Sequence, residues 1–174
     1  MGLDSVAIVI DWEASFGIVI SDAEASVLRT PKQSIDFIAT KLPFHEGHSP
    51  ACLTLRAFHR VRNALTQAAQ VSRAKIRPNA RIRDLVSTNR RQVWEVVRST
   101  CGISSLPNLG WFSRITVGEI ARWAGVHSAK DLKPPGEPWT RAEIRSVVRA
   151  IVAETTEHEN FEDHHDFVHD LGIN

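Results

Sequence analysis

Two cysteines, Cys52 and Cys101, are all the thiols this 174-residue chain contains. They stand alone, without metal-ligand spacing, which argues against a disulfide framework and against a zinc site. No apolar run approaches the roughly 20 residues that cross a bilayer. No basic segment precedes the apolar start, and Asp4, Asp11 and Glu13 interrupt it, so the sequence reads against a signal peptide. A reduced, cytoplasmic protein is the expectation. Glycine-rich phosphate loops and nucleophile–base pairs are also missing. Asp11, Glu13 and His59 have no partner arrangement suited to acid–base work, so no enzymatic activity is expected. Strand-like alternation is absent at any useful length, and the fold class is read as all-α.

What is present is an ordinary globular composition with an uneven charge. The chain is long enough for one sizeable core or two small ones. Its net charge of +1 hides a split. Cys52 to Lys133 holds fifteen basic and four acidic residues, a net of +11. The flanks hold six basic and sixteen acidic residues, a net of −10. Such asymmetry points to separate units with different partners, or to units that attract each other. Gly47-His-Ser-Pro50 and Pro134-Pro-Gly136 read as the linkers. The domains are accordingly 1–46 plus 136–174, acidic, and 51–133, basic.

Apolar periodicity predicts a helix from about Asp4 to Phe16, with Val6, Val9, Ile10, Glu13 and Phe16 on one face and Gly17 as its stop. Ser21 and Glu24 have capping-box spacing before a short turn. Thr30, Pro31 and Gln33 open a third helix with a second such box, carrying Ile35, Ile38 and Leu42. In the middle, a helix from Thr54 bears Phe58, Val61, Leu65, Ala68 and Val71. A loop from Ser72 to Leu85 follows, anchored by Ile76, Ile82 and Leu85. Another helix from about Thr88 carries Val93, Val96, Val97 and Cys101, with Trp94 beside them. Thr116 and Glu119 cap a third, bearing Ile120, Trp123 and Ala124. The last segment has the clearest local signal. Thr140 and Glu143 make a capping box, Trp139 can staple onto Ile144, and Ile144, Val147, Val148, Ile151 and Val152 form one stripe. From Glu154 onward the chain is polar and acidic, punctuated by Phe161, Phe167, Val168 and Leu171.

Ordered motifs within this pattern resemble acyl carrier proteins. Gly2-Leu-Asp-Ser-Val-Ala-Ile-Val, Phe16-Gly17-Ile18, Ser21-Asp-Ala-Glu24 and Thr30-Pro31 look like that family from its second helix to its fourth. Thr140-Arg-Ala-Glu-Ile and Phe167-Val-His-Asp-Leu-Gly-Ile-Asn174 resemble the part those proteins place first. The resemblance implies a circularly permuted carrier fold formed from both chain ends. It also implies an inserted, more divergent second carrier-like bundle over Thr54–Gln70, Ile76–Leu85, Val93–Cys101 and the helix from Thr116. A swapped dimer, in which the tail of one chain completes the head of another, is the alternative closure.

The family carries 4′-phosphopantetheine on the serine of Asp-Ser-Leu. Aligned without gaps, this chain has Gly2 at that position, and glycine has no hydroxyl. Sliding Ser5 into place instead shifts the apolar pattern and puts Asp11 where an apolar residue belongs, an unfavourable burial. The ungapped alignment makes Asp4 and Ser5 helix N-terminal residues. The expected protein is therefore a non-enzymatic, carrier-like protein of acyl or thioester metabolism, acting by protein–protein contact. The alternative is a working carrier with the cofactor on Ser5. Asp4, Asp11 and Glu13 are the acids left to meet acyl-metabolism enzymes or another carrier. Arg81, Arg83, Arg90 and Arg91 are candidates for an acidic partner, with nucleic acid as the alternative. His158, His164, His165 and His169 gather near Glu162, Asp163 and Asp166, but the resemblance places them in a polar, solvated loop, and no metal ligand set is assigned.

Overall fold

A computed structural model describes residues 2–47, 52–107 and 114–173. The described residues hold eight α-helices and one short two-stranded pairing. No described helix is long and apolar enough to cross a membrane. The chain divides into two compact units: residues 1–50 with 134–174, and residues 51–133.

In the first unit, α1 (Leu3–Phe16) stops at Gly17, whose φ of 70° lies in the left-handed region that glycine enters without steric cost. The short α2 (Asp22–Ala25) carries a complete Ser21–Glu24 capping box. In α3 (Pro31–Lys41) Thr30 accepts from the Gln33 N–H, but the Gln33 side chain turns back to the Arg29 N–H instead of closing the box on Thr30. The last helix of the chain, α8 (Arg141–Thr156), opens with a buried Thr140–Glu143 box. Its Ile144, Val147, Val148, Ile151 and Val152 are all at most 1% exposed. Each such side chain contributes about 1.5–3 kcal/mol on burial, so this stripe, packed on α1 and α3, is the centre of the unit's core. Trp139 meets Phe16 edge-on at 5.1 Å.

Two expectations need correction here. Strands were not expected, yet β1 (Phe44–His45) pairs in parallel with β2 (Trp139–Thr140), and the Trp139 N–H reaches the Pro43 carbonyl at 2.7 Å. Two-residue pairings carry no detectable alternation; they form because the chain leaves and re-enters the unit at neighbouring points. The buried face of α1 is also different. Ile8, Trp12, Ser15 and Phe16 are inside, whereas Val6 and Ile10 are 42% and 56% exposed. Apolar residues lie around most of this helix, so periodicity alone leaves its rotation open, and Trp12, the largest side chain, takes the core.

The polar tail after α8 is pinned at several points. Arg145 and Arg149, one turn apart on α8, both bind the Asp163 carboxylate, at 2.5 and 2.7 Å. The Arg149 guanidinium also lies over the Phe161 ring at 4.2 Å. Backbone bonds from Lys32 N–H to Asp163 and from Phe167 N–H to Arg29 tie the tail to the approach to α3. Phe161, Phe167, Leu171 and Ile173 are buried.

The second unit packs α4 (Leu53–Ala69) against α6 (Arg90–Thr100) and α7 (Val117–His127), with the single-turn α5 (Ile82–Leu85) between α4 and α6 in sequence. The α4 face is turned slightly from the expected one. Leu53, Ala57, Val61, Ala64 and Leu65 are buried, while Phe58 and Ala68 are half-buried and Val71 lies beyond the helix end at Gln70. Small residues face inward because α7 packs closely there. In α6, Trp94 is 2% exposed and central, and Val96 is on the outside. Trp123 on α7 is half-buried, stacked near His127 at 4.7 Å. His48–Pro50 of the first linker and Asn174 of the carrier-like motif lie outside the described residues.

Candidate functional site

A cavity of about 520 Å³ opens in the first unit beside the start of α1. Gly2, Ser5, Ile8, Val9 and Trp12 supply one wall from α1. Ala25, Ser26, Leu28 and Arg29 form a second, at the end of α2 and the link to α3. The tail closes it with Asp166, Phe167, Val168 and Ile173. The lining is largely apolar, with hydroxyls and one charge of each sign among the polar groups, a composition common to small-molecule sites.

Each wall is locally fixed. The tail wall is a turn in which Asp166 accepts from the Val168 and His169 N–H groups, at 2.9 and 3.0 Å, while Asp170 accepts from the Asp166 N–H. Those bonds, the His169 N–H first, hold the Asp166 carboxyl below its usual range, with Arg29 a smaller contributor. Trp12 packs near Phe167 with ring centroids 6.2 Å apart. Its indole N–H and the Ser15 hydroxyl are buried with no hydrogen-bond partner among the described residues. A buried donor of that kind costs about 1–3 kcal/mol until an acceptor reaches it.

At the start of α1, Gly2 is the N-cap, extended at φ −81° and ψ −179°, with no side-chain cap. Ser5 follows as the third helical residue, half-buried, and shares the cavity wall with Gly2. Asp4 is exposed in the same first turn, and Asp11 is half-buried. Glu13 is engaged internally, its Oε1 accepting from the Ile20 N–H at 2.7 Å. The outer side of α1 instead presents Leu3, 87% exposed, with Val6 and Ile10 one and two turns on. Leu3, Val6 and Ile10 form an exposed apolar row on this helix.

The candidate arginines lie in the second unit. Arg81 and Arg91 are exposed, Arg83 pairs with Asp84 at 3.4 Å, and Arg90 donates to the Val86 and Arg83 carbonyls. Among the histidines, His165 and His169 sit in turns rather than on a helix, so their spacing does not stack them. Among the described residues no three His, Cys, Asp or Glu groups converge as a metal site requires. No family model, curated protein or solved structure matches the chain.

Sequence reasoning reached Gly2 and Ser5 but missed Trp12, Arg29, Asp166 and Ile173 as neighbours in one cavity. Nothing local marks them. They are brought together by the packing of the tail against the α1–α2 end of the unit.

Proposed function

We propose that the unit built from both chain ends is an acyl-carrier-like, non-enzymatic module of acyl or thioester metabolism, which acts by protein–protein contact and lacks the standard phosphopantetheine serine. The start of α1 carries this reading. The helix begins at Leu3, and the N-cap, where the resemblance puts the modified serine, is Gly2. Glycine has no oxygen to phosphorylate. The permuted order draws support from Gly2 and Ile173, near opposite ends of the chain, lining one cavity. Contact with a partner draws support from the exposed Leu3, Val6 and Ile10 beside Asp4 and Asp11, an apolar row edged with acid. Its partners are then acyl-metabolism enzymes or another carrier protein.

Intact-mass measurement after incubation with a phosphopantetheinyl transferase and coenzyme A tests the reading. The natural chain is expected to stay unchanged, whereas Gly2→Ser gains the mass of the prosthetic group, about 340 Da. The second reading, a working carrier with 4′-phosphopantetheine on Ser5, has one observation in its favour: Ser5 lines the cavity. A mass gain in the natural chain that disappears in Ser5→Ala would establish it and overturn the first.

A further inference from the structure

The segment from Arg73 to Arg91 carries seven basic residues and one acid, Asp84. Such a run is ordinarily a solvated, mobile surface. Here its backbone is held to the start of α7. Val117 and Gly118 donate N–H groups to the Ala80 and Pro78 carbonyls at 2.9 and 2.8 Å, and the Ile82 N–H reaches the Ile115 carbonyl at 3.2 Å. Gly118 makes that approach possible, since a Cβ there would stand 2.8 Å from the Pro78 oxygen. Ile76, Ile82 and Val86 anchor the segment from within, each at most 5% exposed.

Several of the guanidinium groups are fixed as well, by neutral acceptors. Arg62 places two N–H groups on the Arg73 carbonyl, at 3.2 and 2.7 Å, and Arg73 donates to the Asn63 side chain at 2.8 Å. Arg77 donates to Ala74, and Arg90 to Val86 and Arg83. Carbonyl acceptors orient a guanidinium without cancelling its charge, and each leaves further N–H donors for an incoming anion. Arg81 and Arg91 are exposed and have no carboxylate within ion-pair distance among the described residues. Apart from Arg83, paired with Asp84 at 3.4 Å, the segment is therefore an array of cations on a fixed backbone, with no described carboxylate set against them.

What anion fits it is decided by what the array lacks. Protein interfaces centre on exposed apolar or aromatic anchors ringed by polar groups. None of the large exposed apolar side chains lies between residues 73 and 91; those among the described residues of this unit are Leu55 and Val96. A charged rim with no apolar centre suits a phosphodiester chain, whose binding comes from phosphate contacts and needs no apolar core. With no exposed aromatic ring in the segment to stack on bases, sequence readout is not expected either. We infer that the second unit binds the phosphate backbone of nucleic acid along residues 73–91, without base preference. This stands independently of the carrier-like reading of the first unit, and it turns the sequence-based choice from an acidic protein to a polyanion of phosphates.

Fluorescence anisotropy on the full chain tests it, using labelled random-sequence duplex DNA, single-stranded RNA of equal length, and polyglutamate of similar charge. The expected result is binding to one or both nucleic acids that weakens by about 10²–10³-fold between 50 and 200 mM KCl. Arg81→Glu with Arg91→Glu lowers affinity at least about tenfold and reduces the salt slope by about two. Arg122→Glu with Lys130→Glu makes the same charge change in the same unit outside the segment, and is expected to have a much smaller effect. Circular dichroism confirms that both variant pairs fold. The DNA and RNA arms decide which nucleic acid is held. No binding at 50 mM KCl, equal losses from the two variant pairs, or polyglutamate bound as tightly as nucleic acid would each overturn the inference.

Discussion

The two units hold most of their cations by different means. In the first, five of the six basic side chains sit in ion pairs: Lys32 and Arg141 with Asp36, Lys41 with Glu24, and Arg145 and Arg149 with Asp163. In the second, Arg60, Arg62, Arg77 and Arg90 each donate to backbone carbonyls. Of its four acids, Asp84 and Glu95 pair with Arg83 and Arg98, while Glu119 is committed to the Thr116 cap and Asp131 to the Ser104 N–H and hydroxyl. One arrangement uses charge to fasten a polar tail. The other spends geometry on arginine and leaves its charge outstanding. A count of charged residues separates the units, but only the acceptors show that the difference is between neutralised and presented charge.

The sharpest way to break the comparison is through the cores. Trp12→Ala and Trp94→Ala each remove a ring at most 2% exposed and are expected to destabilise by about 3–5 kcal/mol. If each unit has its own core, hydrogen exchange quickens only in the unit that lost its tryptophan. Loss of protection across both units from either variant would join them into one cooperative body.

A smaller effect follows from the ion pairs. Partial burial raises the Asp163 carboxyl, but hydrogen bonds from Arg145 and Arg149 outweigh it and hold the group below its usual range. Bonding to Lys32 lowers Asp36, and Lys41 with Ser21 lowers Glu24 from 4.5 to about 2. These are carboxylates whose folded pKa lies below the unfolded one. Their contribution is complete above about pH 4.5 and is lost as the pH falls through the folded values. In the second unit Glu119 is lowered, by its bond from the Thr116 N–H first. Acidification from pH 5 to 2 should therefore open the first unit before the second, as hydrogen exchange at stepped pH would show. Asp163→Asn should cost about 1–2 kcal/mol at pH 7, discounted for solvent screening, and should make the first unit less sensitive to acid. The reverse order of opening would contradict the comparison.

The smallest effect is on the other side. Arg62→Ala loses two bonds to a neutral carbonyl near the surface and should cost only about 0.5–1 kcal/mol. Because its acceptor is uncharged, that cost should change little in urea melts with and without 0.5 M salt, whereas the cost of Asp163→Asn should shrink as salt screens its pairs. Equal salt responses would erase the distinction.

Much of the helical framework was legible in the residues. Three capping boxes, at Ser21, Thr116 and Thr140, and the left-handed Gly17 stand where their spacing placed them. The α8 stripe is buried in every member. What misled was rotation. In α1 a near-continuous apolar sequence hid the Ile8–Trp12–Phe16 face, and in α4 the inward positions belong to alanines, which periodicity weighs lightly. The parallel pairing of β1 and β2 joins residues almost a hundred apart in the chain and has no local signature.

By itself the sequence determined where helices start and stop, how charge is divided, and that glycine rather than serine precedes α1. Those outcomes depend on capping groups, backbone permissiveness and composition, all of which act within a few residues. Only the tertiary structure decided which side of α1 faces outward, that Gly2 and Ile173 line one cavity with Trp12 and Arg29, and that Arg77 and Arg90 rest on carbonyls instead of carboxylates. Those depend on which distant groups meet, and a side chain's charge or orphaned hydrogen bond has no defined partner until packing supplies one.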